Sequence, residues 1–119
     1  MRYDLHIHSG LSPCADDDMS PNNIVQMALL NKLQLISVTD HNSCAQQKII
    51  SEIAQKNGLQ YWFGVELNTQ EDVHCLAYFG TLHDIQLFEE ALKPYVDPTP
   101  NDVSIFGCGI NVWFKSLFK

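Results

Sequence analysis

The chain has 119 residues, of which 45% are hydrophobic and 18% are charged, and its formal net charge is −7. This length suits one small domain, and the composition is that of a folded globular protein rather than a disordered one. The acidic balance argues against general nucleic-acid binding and against anionic membrane surfaces, although bound cations would reverse the sign of the charge locally.

The first predicted strand covers residues 2–8. Successive side chains of a strand point to opposite faces, so Leu5 and Ile7 share one face and His6 and His8 share the other. Two imidazoles on one face are the arrangement needed to hold a divalent cation. So short a motif is equally compatible with two surface histidines.

Alternating helices and strands follow. A polar loop over 9–19 leads to a helix from Ser20-Pro21 to about Lys32, and a buried strand follows over 35–39. A second helix is predicted over 44–56, and a third strand over 60–66. The inner face of the second helix is predicted to carry Ile49, Ile50, Ile53 and Ala54. Ser20 is the expected N-cap of the first helix, and Asn57-Gly58 is the expected end of the second. Short connections in this order predict parallel strands joined by right-handed crossovers.

The fourth predicted strand, residues 73–79, is expected to run antiparallel to the third. Only about six residues separate the two strands, whereas a parallel crossover needs a dozen or more. A third helix follows from Asp84 to about Lys93, with Leu87 and Phe88 on its apolar face, and Pro94 ends it.

Titratable residues collect at the carboxyl edge of the predicted sheet. They are His6, His8, Asp40, His41, Glu66, His74 and the acidic loop Asp16-Asp17-Asp18. Each has a structural alternative, such as a turn residue for His41 or a solvated strand end for Glu66. Folds built from βα units place their functional sites at the carboxyl edge of the sheet. The presence of so many titratable residues at this edge therefore favours a metal or catalytic site. His83 falls outside the group and is interpreted as structural or surface.

An ordered set of motifs resembles the PHP (polymerase and histidinol phosphatase) domain over about residues 1–80. The motifs are Asp4–Ser9, Ser20-Pro21, Val38–Asn42, Gly64–Leu67 and Val73–Tyr78. The resemblance is strongest to small stand-alone phosphoesterases. It implies an α/β fold, here the N-terminal half of a distorted, TIM-like βα barrel that is incomplete. No histidine follows His83, so the Asp-x-His pair that the family carries near its C-terminus is missing, and a truncated or frameshifted reading frame, or the N-terminal half of a longer product, is expected.

The resemblance also implies up to three divalent cations, commonly manganese, zinc, iron or magnesium. His6, His8 and Glu66 would hold one, Glu66 and His74 a second, and Asp16 and His41 a third, with the choice among Asp16, Asp17 and Asp18 open. Asp40 would orient His41 or its neighbours. Asp40 or a histidine such as His41 would also serve as the catalytic proton shuttle.

The function implied is hydrolysis of a phosphate ester of a small metabolite or nucleotide by a metal-activated water, impaired by truncation. The alternatives are a metal-binding remnant without turnover and a regulatory or polymerase-associated PHP module. Residues 1–93 would form the metal-binding domain, 94–103 a linker and 104–119 an atypical aromatic tail. Uncovered half-barrel surface would permit self-association.

The cysteines and the hydropathy predict where the protein resides. The four cysteines show no C-x-x-C spacing, and the chain starts without a signal peptide. Both features favour reduced thiols. No run approaches the roughly 20 apolar residues of a membrane span. We therefore expect a cytoplasmic protein that does not bind membranes.

Overall fold

The computed structural model describes residues 1–10, 19–41, 43–69 and 71–95. The acidic loop with Asp16, most of the predicted linker and the aromatic tail lie outside the described residues. The elements are β1 (Tyr3–Ile7), α1 (Pro21–Leu30), β2 (Leu35–Val38), α2 (Gln47–Lys56), β3 (Gln60–Tyr61), β4 (Phe63–Asn68), β5 (His74–Phe79), α3 (Leu82–Leu92) and a 3-10 turn (Lys93–Tyr95). No helix within these ranges is long and apolar enough to cross a membrane.

The first three strands form a parallel sheet in the order β1-β2-β3, as the sequence predicts. The N-cap of α1 is Ser20, whose hydroxyl accepts a hydrogen bond from the backbone amide of Asn23. One face of β2 packs against both helices. The cluster comprises Ile24, Val25 and Ala28 of α1, Ile36 and Val38 of β2, and Ile50 and Ala54 of α2, with Leu59.

The predicted strand over 60–66 is divided into β3 and β4 at Trp62. Both pieces lie alongside β2. The backbone amide of Trp62 donates to the Ile36 carbonyl, and the backbone amide of Glu66 donates to the Asp40 carbonyl. A regular parallel ladder would place a further backbone hydrogen bond between these two. A side chain occupies that position instead.

Gln47, the first residue of α2, is inserted into the ladder. Its Nε2 donates to the Val38 carbonyl at 2.7 Å, and its Oε1 accepts from the Gly64 amide at 3.2 Å and from the Tyr61 hydroxyl at 2.8 Å. The side-chain amide thereby replaces a backbone hydrogen bond between β2 and β4. Gln47 is 1% exposed, and Val38 and Gly64 are buried too, so without Gln47 their backbone groups would lack a hydrogen-bond partner.

We expect Gln47→Ala to lower the free energy of unfolding by about 2 kcal/mol, because it leaves buried polar groups unsatisfied. Urea denaturation measures the change. Gln55→Ala is the matched control, since Gln55 is exposed on the same helix. Equal unfolding midpoints for the two variants would contradict the bridging role of Gln47.

The last two strands form an antiparallel hairpin, which confirms the argument from the short connection. Glu66 pairs with Leu76 and Asn68 pairs with His74. Gly64 lies where β4 approaches β2, and a Cβ added there would overlap Ser37 Oγ and lie 2.7 Å from Thr39 Cγ2. A glycine is therefore required at this point of the hairpin.

The predicted inner faces of α2 and α3 each include an exposed residue, although Ile50 and Ala54 of α2 are buried as predicted. Ile49 was expected inside but is 52% exposed, whereas Ile50 is fully buried. In α3, Leu87 is 56% exposed and Ile85 is buried in its place. Adjacent apolar residues on a helix lie about 100° apart, so only the packing of the helix on the sheet selects between them.

Candidate metal centre

The ends of three strands meet at one edge of the fold. Thr39, directly after β2, donates its backbone amide to the Ile7 carbonyl at the end of β1, at 2.7 Å. An isolated parallel bridge then joins His41 to Glu66 of β4. The antiparallel return brings the first residue of β5, His74, to the same edge.

Four histidines surround the carboxylate of Glu66, whose side chain is only 4% exposed. Its Oε2 lies 2.9 Å from His6 Nε2, 3.1 Å from His8 Nε2 and 3.6 Å from His41 Nε2. Its Oε1 lies 2.9 Å from His74 Nδ1. The structure thus brings together five of the six residues that the sequence suggested as metal ligands. The sixth, Asp16, lies outside the described residues.

The ligand atoms form two trios that share Glu66. One is His6, His8 and Glu66, the other is His41, Glu66 and His74, and within each trio the ligand atoms lie within 4.8 Å of one another. The Nε2 atoms of His6 and His8 are 3.2 Å apart, so at least one presents a lone pair rather than a proton to the other.

This donor set fits a divalent cation. A tetrahedral ion about 2.1 Å from each ligand holds those ligands about 3.4 Å apart, close to the separations between Glu66 Oε2 and the first two imidazoles. Neutral imidazole with carboxylate oxygen suits zinc, manganese and iron. The chemistry of the trios does not select among these metals.

The electrostatics of the cluster favour the protonation states that bind a cation. Burial acts to raise the pKa of Glu66, but hydrogen bonds from His6 and His74 outweigh it and the pKa is lowered. The pKa of His8 is lowered by burial and then by the neighbouring His41. Glu66 is therefore an anion and His8 is neutral near pH 7, which are the forms that coordinate metals.

Asp40 lies behind the histidines and is 2% exposed. Its Oδ1 accepts from the backbone amide of Ser9 at 2.7 Å and its Oδ2 accepts from the Ser9 hydroxyl at 2.6 Å. These bonds hold the residue that directly follows His8. Asp40 thus restrains the segment that directly follows β1, and its orientation of His41 stays a prediction.

Sequence reasoning did not single out Ser9 or Asn68 as parts of this site. Asn68 Oδ1 lies 3.2 Å from His41 Nδ1, and both side chains are buried. A signal was present, because Asn68 follows Glu66 by two positions and so shares its face of the strand. His83 is exposed, as expected of a surface residue.

The sequence profile of the PHP domain matches residues 4–97. The chain belongs to the PHP domain family. The match covers both trios and all the described strands. Membership in the family agrees with the resemblance drawn from the motifs of β1, β2 and β4.

The chain spans between 11% and 34% of the length of the following similar proteins. An uncharacterized protein of Methanocaldococcus jannaschii is 29% identical over 92 residues, which are 77% of this chain and 11% of that protein. A lesion-specific endonuclease from Pyrococcus furiosus is 27% identical, with a TM-score of 0.63 over 80% of this chain and 26% of that one. A proposed metal-dependent phosphoesterase from Bifidobacterium adolescentis is 24% identical, with a TM-score of 0.60 over 80% and 34%. The mixed α/β fold with a parallel sheet matches these structures.

Proposed function

We propose that this PHP chain binds divalent cations through His6, His8, His41, Glu66 and His74 and hydrolyses phosphate esters with them. The observation that carries the proposal is the buried carboxylate of Glu66 with four imidazole nitrogens within 3.6 Å. Glu66 and His41 are buried, and the Nε2 atoms of His6 and His8 lie only 3.2 Å apart beside them. Such crowding of polar groups is costly unless a ligand joins them, so the cluster is better explained by a cation than by packing.

Bound cations would neutralise phosphate oxygens and lower the pKa of a coordinated water. The residues of the chain prepare the site for them. Glu66 supplies the fixed negative charge, and the imidazoles of His6 and His8 supply ring nitrogens beside it. Asp40 holds Ser9 with both carboxylate oxygens, which favours a positioning role over proton transfer. The two ring nitrogens of His41 face Glu66 and Asn68, so a ligand role fits His41 better than proton transfer.

We propose a small phosphorylated metabolite or a nucleotide as substrate, because the net charge of −7 opposes general binding to nucleic acid. A second candidate is a phosphodiester in DNA. It is favoured by the similarity to the Pyrococcus furiosus endonuclease, which is described as lesion-specific. A metal-binding chain without turnover is the remaining alternative, since this chain spans 26% of that endonuclease.

We expect purified protein supplied with Mn²⁺ to hydrolyse p-nitrophenyl phosphate or its bis ester, and His8→Ala to reduce the rate at least about 100-fold. The reason is that loss of even the outer partners of a ligand costs 10–100-fold in activity. His83→Ala is the matched control, because His83 is exposed and follows the end of β5 opposite to His74. Release of p-nitrophenol is the measurement. Hydrolysis that survives His8→Ala unchanged would assign the activity to a contaminant, and metal content without hydrolysis would identify the binding remnant.

A further inference from the structure

Asn68 ends β4 at the point where the second trio is assembled. Its Oδ1 lies 3.2 Å from His41 Nδ1, and the two side chains are 8% and 6% exposed respectively. Its backbone lies opposite His74 in the β4–β5 ladder, two positions after Glu66. One residue therefore adjoins all three members of this trio.

We propose that Asn68 is a positioning residue that fixes the tautomer of His41, an inference that rests on the proposed function of the same cluster. An amide oxygen can only accept a hydrogen bond, so Nδ1 of His41 must carry the proton and donate it. The lone pair is then on Nε2, the nitrogen that lies 3.6 Å from Glu66 Oε2. The proton of the ring is thereby kept away from the cation site.

The other contact of the His41 ring cannot perform this selection. His41 stacks on His8 with ring centroids 4.5 Å apart and planes 11° from parallel. Such stacking fixes the plane of the ring, but it tolerates a half-turn of the ring and either tautomer. With Asn68 Oδ1 facing the ring, as observed, the hydrogen bond tolerates neither, because a carbon would then face the amide oxygen or two acceptors would meet.

Zn²⁺ titration by calorimetry tests the proposal with two variants of nearly equal volume. Asn68→Leu removes the acceptor and is expected to weaken one Zn²⁺ binding step by about 10–100-fold, the usual cost of losing a hydrogen bond to a metal-bound histidine. Asn68→Asp keeps the acceptor and is expected to bind Zn²⁺ at least as tightly as the wild type. Asn22→Leu, at an exposed position of α1, controls for the loss of an amide elsewhere.

A measurement on the unaltered chain keeps the test decisive if Asn68→Leu fails to fold. Long-range proton–nitrogen NMR of metal-free protein labelled at histidine nitrogens reports the tautomer, with His41→Gln used to assign the signal. We expect His41 to be protonated at Nδ1. Protonation at Nε2, or wild-type Zn²⁺ affinity in folded Asn68→Leu, would overturn the role of Asn68. If the unaltered chain binds no Zn²⁺, the proposed function is wrong. The tautomer of His41, measured without metal, then still shows whether Asn68 selects it.

Discussion

Glu66→Gln is expected to lower the affinity for Zn²⁺ by more than about 100-fold and to abolish metal-dependent hydrolysis. Both trios use Glu66, and within the described residues it is the one carboxylate in either of them. The amide has nearly the same shape but carries no charge, so the buried site loses its anion. Loss of an outer partner of a ligand already costs 10–100-fold, and loss of a shared ligand costs more. Competition against a fluorescent chelator measures the affinity.

Glu52→Gln is the matched control for this prediction. Glu52 is exposed on α2, so its charge is removed without disturbing a buried group. Thermal unfolding in the presence of a chelator shows whether each variant is folded before any affinity is compared. If folded Glu66→Gln binds Zn²⁺ as tightly as Glu52→Gln does, the cations are bound elsewhere and the assignment of both trios is wrong.

The convergence of histidines at one edge could be predicted from the sequence because two simple rules determine it. Period-two alternation places His6 and His8 together, and the observed distance between their Nε2 atoms is 3.2 Å. The short connection before β5 forces an antiparallel return, which places His74 beside Glu66. Both rules depend only on local spacing, so no knowledge of tertiary packing was needed. The use of these residues as metal ligands stays a prediction.

The supporting residues could not be predicted in the same way. Gln47 looked like an ordinary polar residue near a helix start, but its amide lies between β2 and β4. Its role depends on a gap in the ladder that appears only when the strands are paired. Asn68 likewise acquires its meaning from His41, which is 27 residues earlier in the chain. Hydrophobic periodicity carries no information about such polar contacts between distant segments.

The same limit explains why the predicted inner face of α2 includes Ile49. Ile49 and Ile50 are equally apolar, so the sequence places both of them inside. The buried polar residues Gln47 and Ser51 share the inner face with Ile50 and Ala54, so hydrophobicity alone makes the predicted face too wide. The insertion of Gln47 into the sheet fixes the rotation of α2. A polar contact thus decides which isoleucine enters the core.

Zn²⁺ is expected to raise the free energy of unfolding by about 4 kcal/mol at a free concentration of about 1,000 times its Kd. The physical reason is that the ligands of the two trios come from β1, the end of β2, β4 and β5, so unfolding separates them and releases the ion. Urea denaturation followed by tryptophan fluorescence, with Zn²⁺ or with EDTA, measures the difference.

The same titration in Glu66→Gln separates stabilisation through the trios from any general effect of the ion. The variant is expected to retain at most about 1.4 kcal/mol of this stabilisation, because an affinity lowered by more than about 100-fold leaves the ion at no more than about 10 times its Kd. A stabilisation of about 4 kcal/mol that persists in Glu66→Gln would mean that the ion acts at other residues, such as the free thiols of Cys44 and Cys75. The thiol of Cys44 is a poor competitor near neutral pH, since burial and the neighbouring Glu89 raise its pKa to about 12. Zn²⁺-dependent stability that requires Glu66 would therefore locate the ion among the four histidines.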